Sequence, residues 1–399
     1  MKETPFHERT RRLNRMQMWF NWDQHIVPDV YTDFHEELRT TRAAVSMGDM
    51  SPLSKYEIRG DHALQLLDRV VTRDVTKLQI GQVFYTPWTD ERGKVVGDGL
   101  LFRTGENAFR LSADPQLEWL TRHAGGFDVA VDEVTDDYGL LAIQGPLSPR
   151  VMDALTGELW EEMPFSHART TTVAGADLLA ARQGFTGEVG YELWVPADAG
   201  VDVWDAVAKA GEAFGIRPVG ELAIDVARVE AGMLIVGADY TGAGPDRPGS
   251  VIELNAEHEA SPAELGLGGF VELDKGDLVG KEALAAEAAA EVPRLRLVGL
   301  ELDRQAVVRL YAAEGLPPML PSRVWWYPVP ASLGGRPVGH ATSVTWAPTV
   351  GKIVGFGHLE RSQTTPGTEV AIRWTLNGAD GEVPARVVEL PFLELRRGG

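Results

Sequence analysis

Arg182-Gln183-Gly184-Phe185-Thr186-Gly187-Glu188-Val189-Gly190-Tyr191-Glu192 is a glycine-punctuated loop that runs into a strand carrying a carboxylate. Glycine lacks a Cβ, so Gly184, Gly187 and Gly190 permit tight turns at positive φ. The run Tyr191-Glu192-Leu193-Trp194-Val195 then alternates as a strand does. A glutamate among bulky apolar neighbours needs partners if it is buried. Taken alone, the pattern is satisfied by a surface hairpin whose Glu192 is solvated.

The chain has 399 residues and is 44% hydrophobic, enough for a large core and for two or three domains. A net charge of −20 argues against nucleic acid and anionic membrane surfaces, which would repel it. The absence of cysteine excludes disulfides, thiolate metal sites and cysteine nucleophiles. The nine histidines show no paired spacing, so no metal is expected. Neither a signal-peptide pattern nor an apolar run long enough to span a bilayer is visible. The expectation is a soluble, cytoplasmic protein.

Short strand patterns fill residues 56–134, with an amphipathic helix over 61–70 that repeats Leu64, Leu67 and Val70. Asp90-Glu91-Arg92-Gly93 reads as a hairpin turn between Val83-Phe84-Tyr85 and Val95-Val96. Further helices are expected over 199–214 and 221–233, and a polar, alanine-rich connector helix over 281–291. Beyond Pro293 the chain becomes strand-like and rich in Pro and Gly, which suggests a small barrel.

The opening stretch resembles the Gly-Tyr-Thr-Gly-Glu-x-Gly-x-Glu signature of the aminomethyltransferase (glycine cleavage T-protein) superfamily. Other matches follow in family order. Thr72-Arg73-Asp74-Val75-Thr76-Lys77, Ile80-Gly81 and Phe84-Tyr85-Thr86-Pro87 are similar to its tetrahydrofolate-dependent demethylase branch, dimethylsulfoniopropionate demethylase in particular. Leu141-Ala142-Ile143-Gln144-Gly145-Pro146, Ala227-Arg228-Val229-Glu230-Ala231-Gly232 and Leu390-Pro391-Phe392 resemble further family segments. The resemblance implies an α+β protein with a three-domain cloverleaf and a central folate channel. Its domains would be residues 1–51 with 140–280, residues 52–139, and a connector plus β-barrel over 281–399.

The resemblance assigns the pterin ring to Glu192, and the chemistry agrees. The pterin edge offers two parallel donors that one carboxylate accepts together. It places the family's catalytic acid at Asp98, within Val95-Val96-Gly97-Asp98-Gly99-Leu100. A carboxylate there orients folate's reactive amine or takes its proton, and the flanking glycines let a substrate approach closely. Tyr85, Met50, Ser112 and Phe185 fall at folate-channel positions, although Tyr85 and Met50 also suit ordinary core roles.

Three departures separate this chain from the glycine-cleavage enzymes. Ile224 stands where their Ala-Arg-Asp motif has Arg, Asp49 where they have His, and Phe185 where they have Tyr. These changes argue against aminomethyl transfer and against docking of a lipoyl-carrier protein. The leading expectation is therefore a demethylase that moves a methyl group from a small O-, S- or N-methyl donor to tetrahydrofolate. The alternatives are a glycine-cleavage-type aminomethyltransferase and a non-catalytic folate-binding protein. Trp19, Phe20, Trp22, His25 and Tyr31 form an aromatic cluster that either cages an onium methyl group or staples the N-terminal arm. His25 is a further candidate, as acid for a departing oxyanion. Trp325-Trp326-Tyr327-Pro328 either caps the folate tail or packs the barrel.

Overall fold

The computed structural model describes residues 1–245, 256–290 and 293–397. The Gly190–Pro196 strand does not edge a surface hairpin. It is central in a six-stranded sheet, flanked by Tyr138–Gln144 and Ala176–Ala181, with Ala168–Val173, Ser46–Asp49 and Arg217–Val219 beyond. Its alternation is real, but both faces are covered. Tyr191, Leu193 and Val195 pack with Phe6, Trp160 and Trp204 under helices, and Trp194 joins the central core with Phe102. Glu192 shares the Trp194 face and is only 6% exposed.

Of the three motif glycines, only Gly187 has positive φ, at 82°. Gly184 and Gly190 are small for another reason. A Cβ on either would fall 1.9 or 2.2 Å from the Gln144 side chain, which threads between them. Gln144 then donates to the Gln183 carbonyl at 3.1 Å and accepts from Thr186 Oγ1 at 3.0 Å. The glycines therefore lock the loop to the neighbouring strand.

A second sheet of five strands holds Val83–Thr89, Val95–Gly105, Ala108–Ala113, Ser54–Arg59 and Ala130–Glu133 in that order. The Asp90 turn forms as expected, and the Ala63–Val70 helix buries Leu66, Leu67 and Val70. The Gly200–Gly211 and Lys281–Ala290 helices match expectation, although residue 291 lies outside the described residues. The Glu221–Glu230 helix ends three residues earlier than its apolar pattern, because Gly232 turns the chain at φ 72°. C-terminal to these, six strands close a barrel. The sequence pattern missed one helix there, Arg304–Ala313, which buries Ala306 and Val307 against the barrel core. No helix among the described residues is long and apolar enough to cross a membrane.

Buried ion pairs join these units. Arg228, fully buried, bridges Asp225 at 2.8 Å, Asp239 at 2.6 Å and the barrel's Ser343 at 2.8 Å. Arg42 binds Glu230 at 2.8 Å and the Thr186 carbonyl of the glycine loop at 2.5 Å, while Glu230 also takes the barrel's Thr349 hydroxyl at 2.7 Å.

Candidate functional site

The sheets, the barrel and the N-terminal hairpin enclose a cavity of about 1220 Å³. Asp98 faces it from the Val95–Gly105 strand, in register with Pro87 of the neighbouring strand. Tyr85, two residues before Pro87, donates its hydroxyl to Asp98 Oδ2 at 2.9 Å. Tyr240 donates to Asp98 Oδ1. Tyr240 comes from a distant segment and was missed in the sequence, where no spacing links it to Asp98. It is fixed by its neighbour Asp239, which holds Arg228 and the barrel residues Thr342 at 2.8 Å and Ser343 at 2.5 Å. Burial holds the Asp98 carboxyl above its usual range, and the two phenol hydrogen bonds offset only part of that rise. The result is a fixed carboxylate with both oxygens directed by neutral donors, suited to hold or accept a proton.

The glycines beside Asp98 are demanded by packing, and Gly99 also lines the cavity. A Cβ on Gly97 would sit 2.7 Å from the Gln116 amide, and one on Gly99 2.5 Å from the Ser112 carbonyl. Both are required by packing against the next strand and Trp88.

Glu192 lines the same cavity and makes no hydrogen bond or ion pair among the described residues. Burial alone pushes its carboxyl up to about 7. A buried carboxylate without partners is costly unless a ligand supplies them. Its position and lack of partners fit a pterin edge, and the cavity has room for folate together with a second small substrate. Met50, Ser112 and Phe185 also line it, Met50 and Ser112 each 5% exposed. The Tyr85 ring meets Phe270 edge-on at 5.3 Å, so its hydroxyl serves Asp98 and its ring helps shape the wall.

The N-terminal aromatics divide. Phe20, Trp22 and Tyr31 line the cavity, and the Tyr31 hydroxyl is buried without a hydrogen-bond partner among the described residues. Trp19 and His25 do not reach it. Trp19 lies on the opposite face of its strand from Phe20 and packs on His7 at 5.3 Å. His25 is held by the Asp23 carbonyl at 3.1 Å and approaches Asp136 at 3.4 Å. It is therefore no acid for a leaving group. Trp325 packs in the barrel on Trp374 at 4.7 Å, whereas Trp326 lines the cavity and donates to Asp225 at 2.6 Å.

The departures from the glycine-cleavage pattern are also placed. Ile224 presents an apolar side chain to the cavity, 9% exposed. Asp49 accepts from Thr4 Oγ1 at 2.6 Å and from Ser51 N at 3.0 Å, tying down the N-terminal arm. Asp114, beside Ser112, lines the cavity without a hydrogen bond or ion pair among the described residues, and burial with the nearby Asp98 charge raises its carboxyl to about 7.

Residues 9–245 match the GCVT N-terminal domain family, and residues 296–394 the glycine cleavage T-protein C-terminal barrel domain. A protein of Symbiobacterium thermophilum named aminomethyltransferase is 32% identical over 98% of this chain and 97% of its own. One from Streptomyces coelicolor with the same name is 32% identical over 94% and 93%. The crystal structure of glycine cleavage system aminomethyltransferase T from Bartonella henselae superposes with a TM-score of 0.81 at 24% identity, over 99% of both chains, which shows the shared fold. Tetrahydrofolate is the one-carbon acceptor of enzymes of this kind. With its N-terminal and barrel domains matched in order, and Asp98 and Glu192 facing one cavity, the chain belongs to the glycine cleavage T-protein (GCVT) aminomethyltransferase family.

Proposed function

We propose that the protein is a tetrahydrofolate-dependent one-carbon transferase of the aminomethyltransferase type, drawing its carbon from a nitrogen-bearing donor. One observation carries this reading: a buried Glu192, without a partner among the described residues, shares a cavity with an Asp98 held by two phenols. Full-length similarity to proteins named aminomethyltransferase favours this type over the demethylase expected from the sequence. Glu192 would hold the pterin edge, with Met50, Ser112 and Phe185 around the ring. Bound there, tetrahydrofolate supplies a nucleophilic ring nitrogen. Asp98 orients that nitrogen and takes its proton, and Tyr85 and Tyr240 keep the carboxylate aimed. Positioning two substrates in one enclosed cavity accounts for most of the acceleration.

A specific observation favours methyl transfer as a second reading. Ile224 gives the cavity an apolar wall where the glycine-cleavage motif has a cation. Under that reading the donor is a small free molecule and no lipoyl-carrier protein takes part. Mass spectrometry of the folate pool separates the two. Methylene-tetrahydrofolate, formed only with a lipoyl carrier, supports the first reading; methyl-tetrahydrofolate from a free donor supports the second. Neither product from wild-type protein, with a lipoyl carrier or a panel of methylated amines, sulfonium compounds and methoxybenzoates, would sink both.

A further inference from the structure

One wall of the cavity is assembled from three segments far apart in the chain. Phe20 and Trp22 come from the Met18–Trp22 strand, where strand periodicity puts both on one face. Glu221 comes from the first turn of the Glu221–Glu230 helix, and Trp326 from the connection between the first and second barrel strands. The segments touch. The Phe20 and Trp326 rings meet edge-on at 5.9 Å and 70°, and Trp326 Nε1 donates at 2.6 Å to Asp225, one helical turn after Glu221.

Glu221 is the unexplained member. It is 9% exposed, lines the cavity, and makes no hydrogen bond or ion pair among the described residues. Its neighbours are already engaged. Asp225 holds Arg228 with one oxygen and Trp326 with the other, and Arg323, the guanidinium on this wall, pairs with Asp29. A carboxylate in the first turn of a helix gains from the helix dipole, but that gain is too small to balance burial without a partner. Burial and the charges of Asp225 and Asp29 hold the Glu221 carboxyl well above its usual range, as expected of a group lacking a cation. Ile224 beside it offers none. Over the whole lining, carboxylates outnumber guanidinium groups.

An aromatic wall with an unbalanced carboxylate attracts a weakly hydrated cation, because ring faces carry negative potential. We propose that the donor is recognised through an alkylated ammonium head seated against Phe20, Trp22 and Trp326, with Glu221 as its counter-charge. The proposal rests on the second, methyl-transfer reading and adds the class of donor. The head carries the carbon that is transferred: the folate ring nitrogen bonds to an N-methyl carbon, the bond from that carbon to the ammonium nitrogen breaks, the neutral amine leaves with the electron pair, and Asp98 takes the proton from the folate nitrogen. The wall selects the alkyl groups by contact and the charge through Glu221.

The test is calorimetric titration of the full-length protein, with and without tetrahydrofolate, by choline and glycine betaine. Their carbon isosteres, 3,3-dimethylbutan-1-ol and 3,3-dimethylbutanoate, share the shape but lack the cationic head. The cations should bind about tenfold or more tightly than the isosteres, in line with a desolvated cation–π contact plus a carboxylate. Glu221→Gln should erase that preference. Phe20→Leu and Trp22→Leu should each weaken cation binding by about two- to tenfold while leaving the isosteres unchanged. Tetrahydrofolate affinity should persist in all three, which shows that each variant is folded. Equal binding of cation and isostere, no cation binding by wild type, or an unchanged preference in Glu221→Gln would overturn the proposal. Cation preference without any folate product sinks the methyl-transfer reading alone; folate product without cation preference sinks only this inference.

Discussion

In the proposed reaction Asp98 and Glu192 divide the work at the site. Asp98 is anchored by Tyr85 and Tyr240, and the proposal gives it a chemical role. Asp98→Asn keeps the shape and removes the base, and kcat should fall about 10²- to 10⁴-fold with tetrahydrofolate affinity nearly unchanged, as read by steady-state kinetics and calorimetry. Glu192 gives a pH signature. Its carboxyl sits near 7 in the ligand-free protein, and a ligand that donates to it binds the ionised form. Tetrahydrofolate affinity should therefore be flat above about pH 7 and fall up to tenfold per unit below it, and Glu192→Gln should abolish the slope. Because this folded-state value lies above the ordinary 4.5, Glu192 also makes the ligand-free fold gain stability as pH drops from about 7 toward 4.5. Urea midpoints that fall over that window, unaffected by Glu192→Gln, would contradict this. Both carboxylates were legible in the sequence because each sits in a local motif. Tyr240, Asp114 and Glu221 were not, since only folding brings them to the cavity, and an acid in the first turn of a helix is unremarkable by itself.

Among the elements, the Glu221–Glu230 helix carries the most constraints. Its first turn is held by Glu37, whose carboxylate accepts from Tyr31 N at 2.8 Å, Thr32 N at 2.9 Å and Gly220 N at 2.8 Å. Glu37 thereby fixes the hairpin that carries Phe20 and Trp22 relative to the helix that carries Glu221. Glu37→Ala leaves those amides unpaired and should cost about 2–4 kcal/mol in urea unfolding, since each buried orphan donor costs about 1–3 kcal/mol and water recovers part. A loss below about 0.5 kcal/mol would show the contact to be idle. The N-terminal aromatics show where element-level reading stops. Composition marked a cluster, but Trp19 and Phe20 are adjacent in a strand and must point apart. His25 follows from neither pattern nor charge; its ring is held between the Asp23 carbonyl and Asp136, the latter far along the chain. The glycine loop was located correctly for a partly wrong reason, because Gln144 rather than backbone freedom demands Gly184 and Gly190.

For the whole molecule, Arg228 is the fastening. It ties the helix at Asp225, the Tyr240 segment at Asp239 and the barrel at Ser343, so the barrel and the Asp98 site are mechanically joined. Arg228→Met would strand two buried carboxylates and should destabilise the protein by about 3–5 kcal/mol. It should also lower kcat, because Tyr240 loses the support of Asp239. Normal stability with normal kcat would refute this coupling. The barrel itself was readable from the Pro- and Gly-rich strand pattern beyond Pro293, whereas its packing on the cavity was not, because that contact depends on buried pairs between distant residues. Function followed the same division. Local motifs with Ile224 and Asp49 pointed to demethylation, and similarity along the full length moved the reading toward the aminomethyltransferase type.

The most direct test of the central claim is calorimetric titration of tetrahydrofolate into wild type, Asp98→Asn and Glu192→Gln at pH 7.5. Glu192 and Asp98 having separate duties, Asp98→Asn should bind like wild type, and Glu192→Gln should bind at least tenfold more weakly. Undiminished binding by Glu192→Gln would contradict the account, because the buried carboxylate would then have no ligand to justify it.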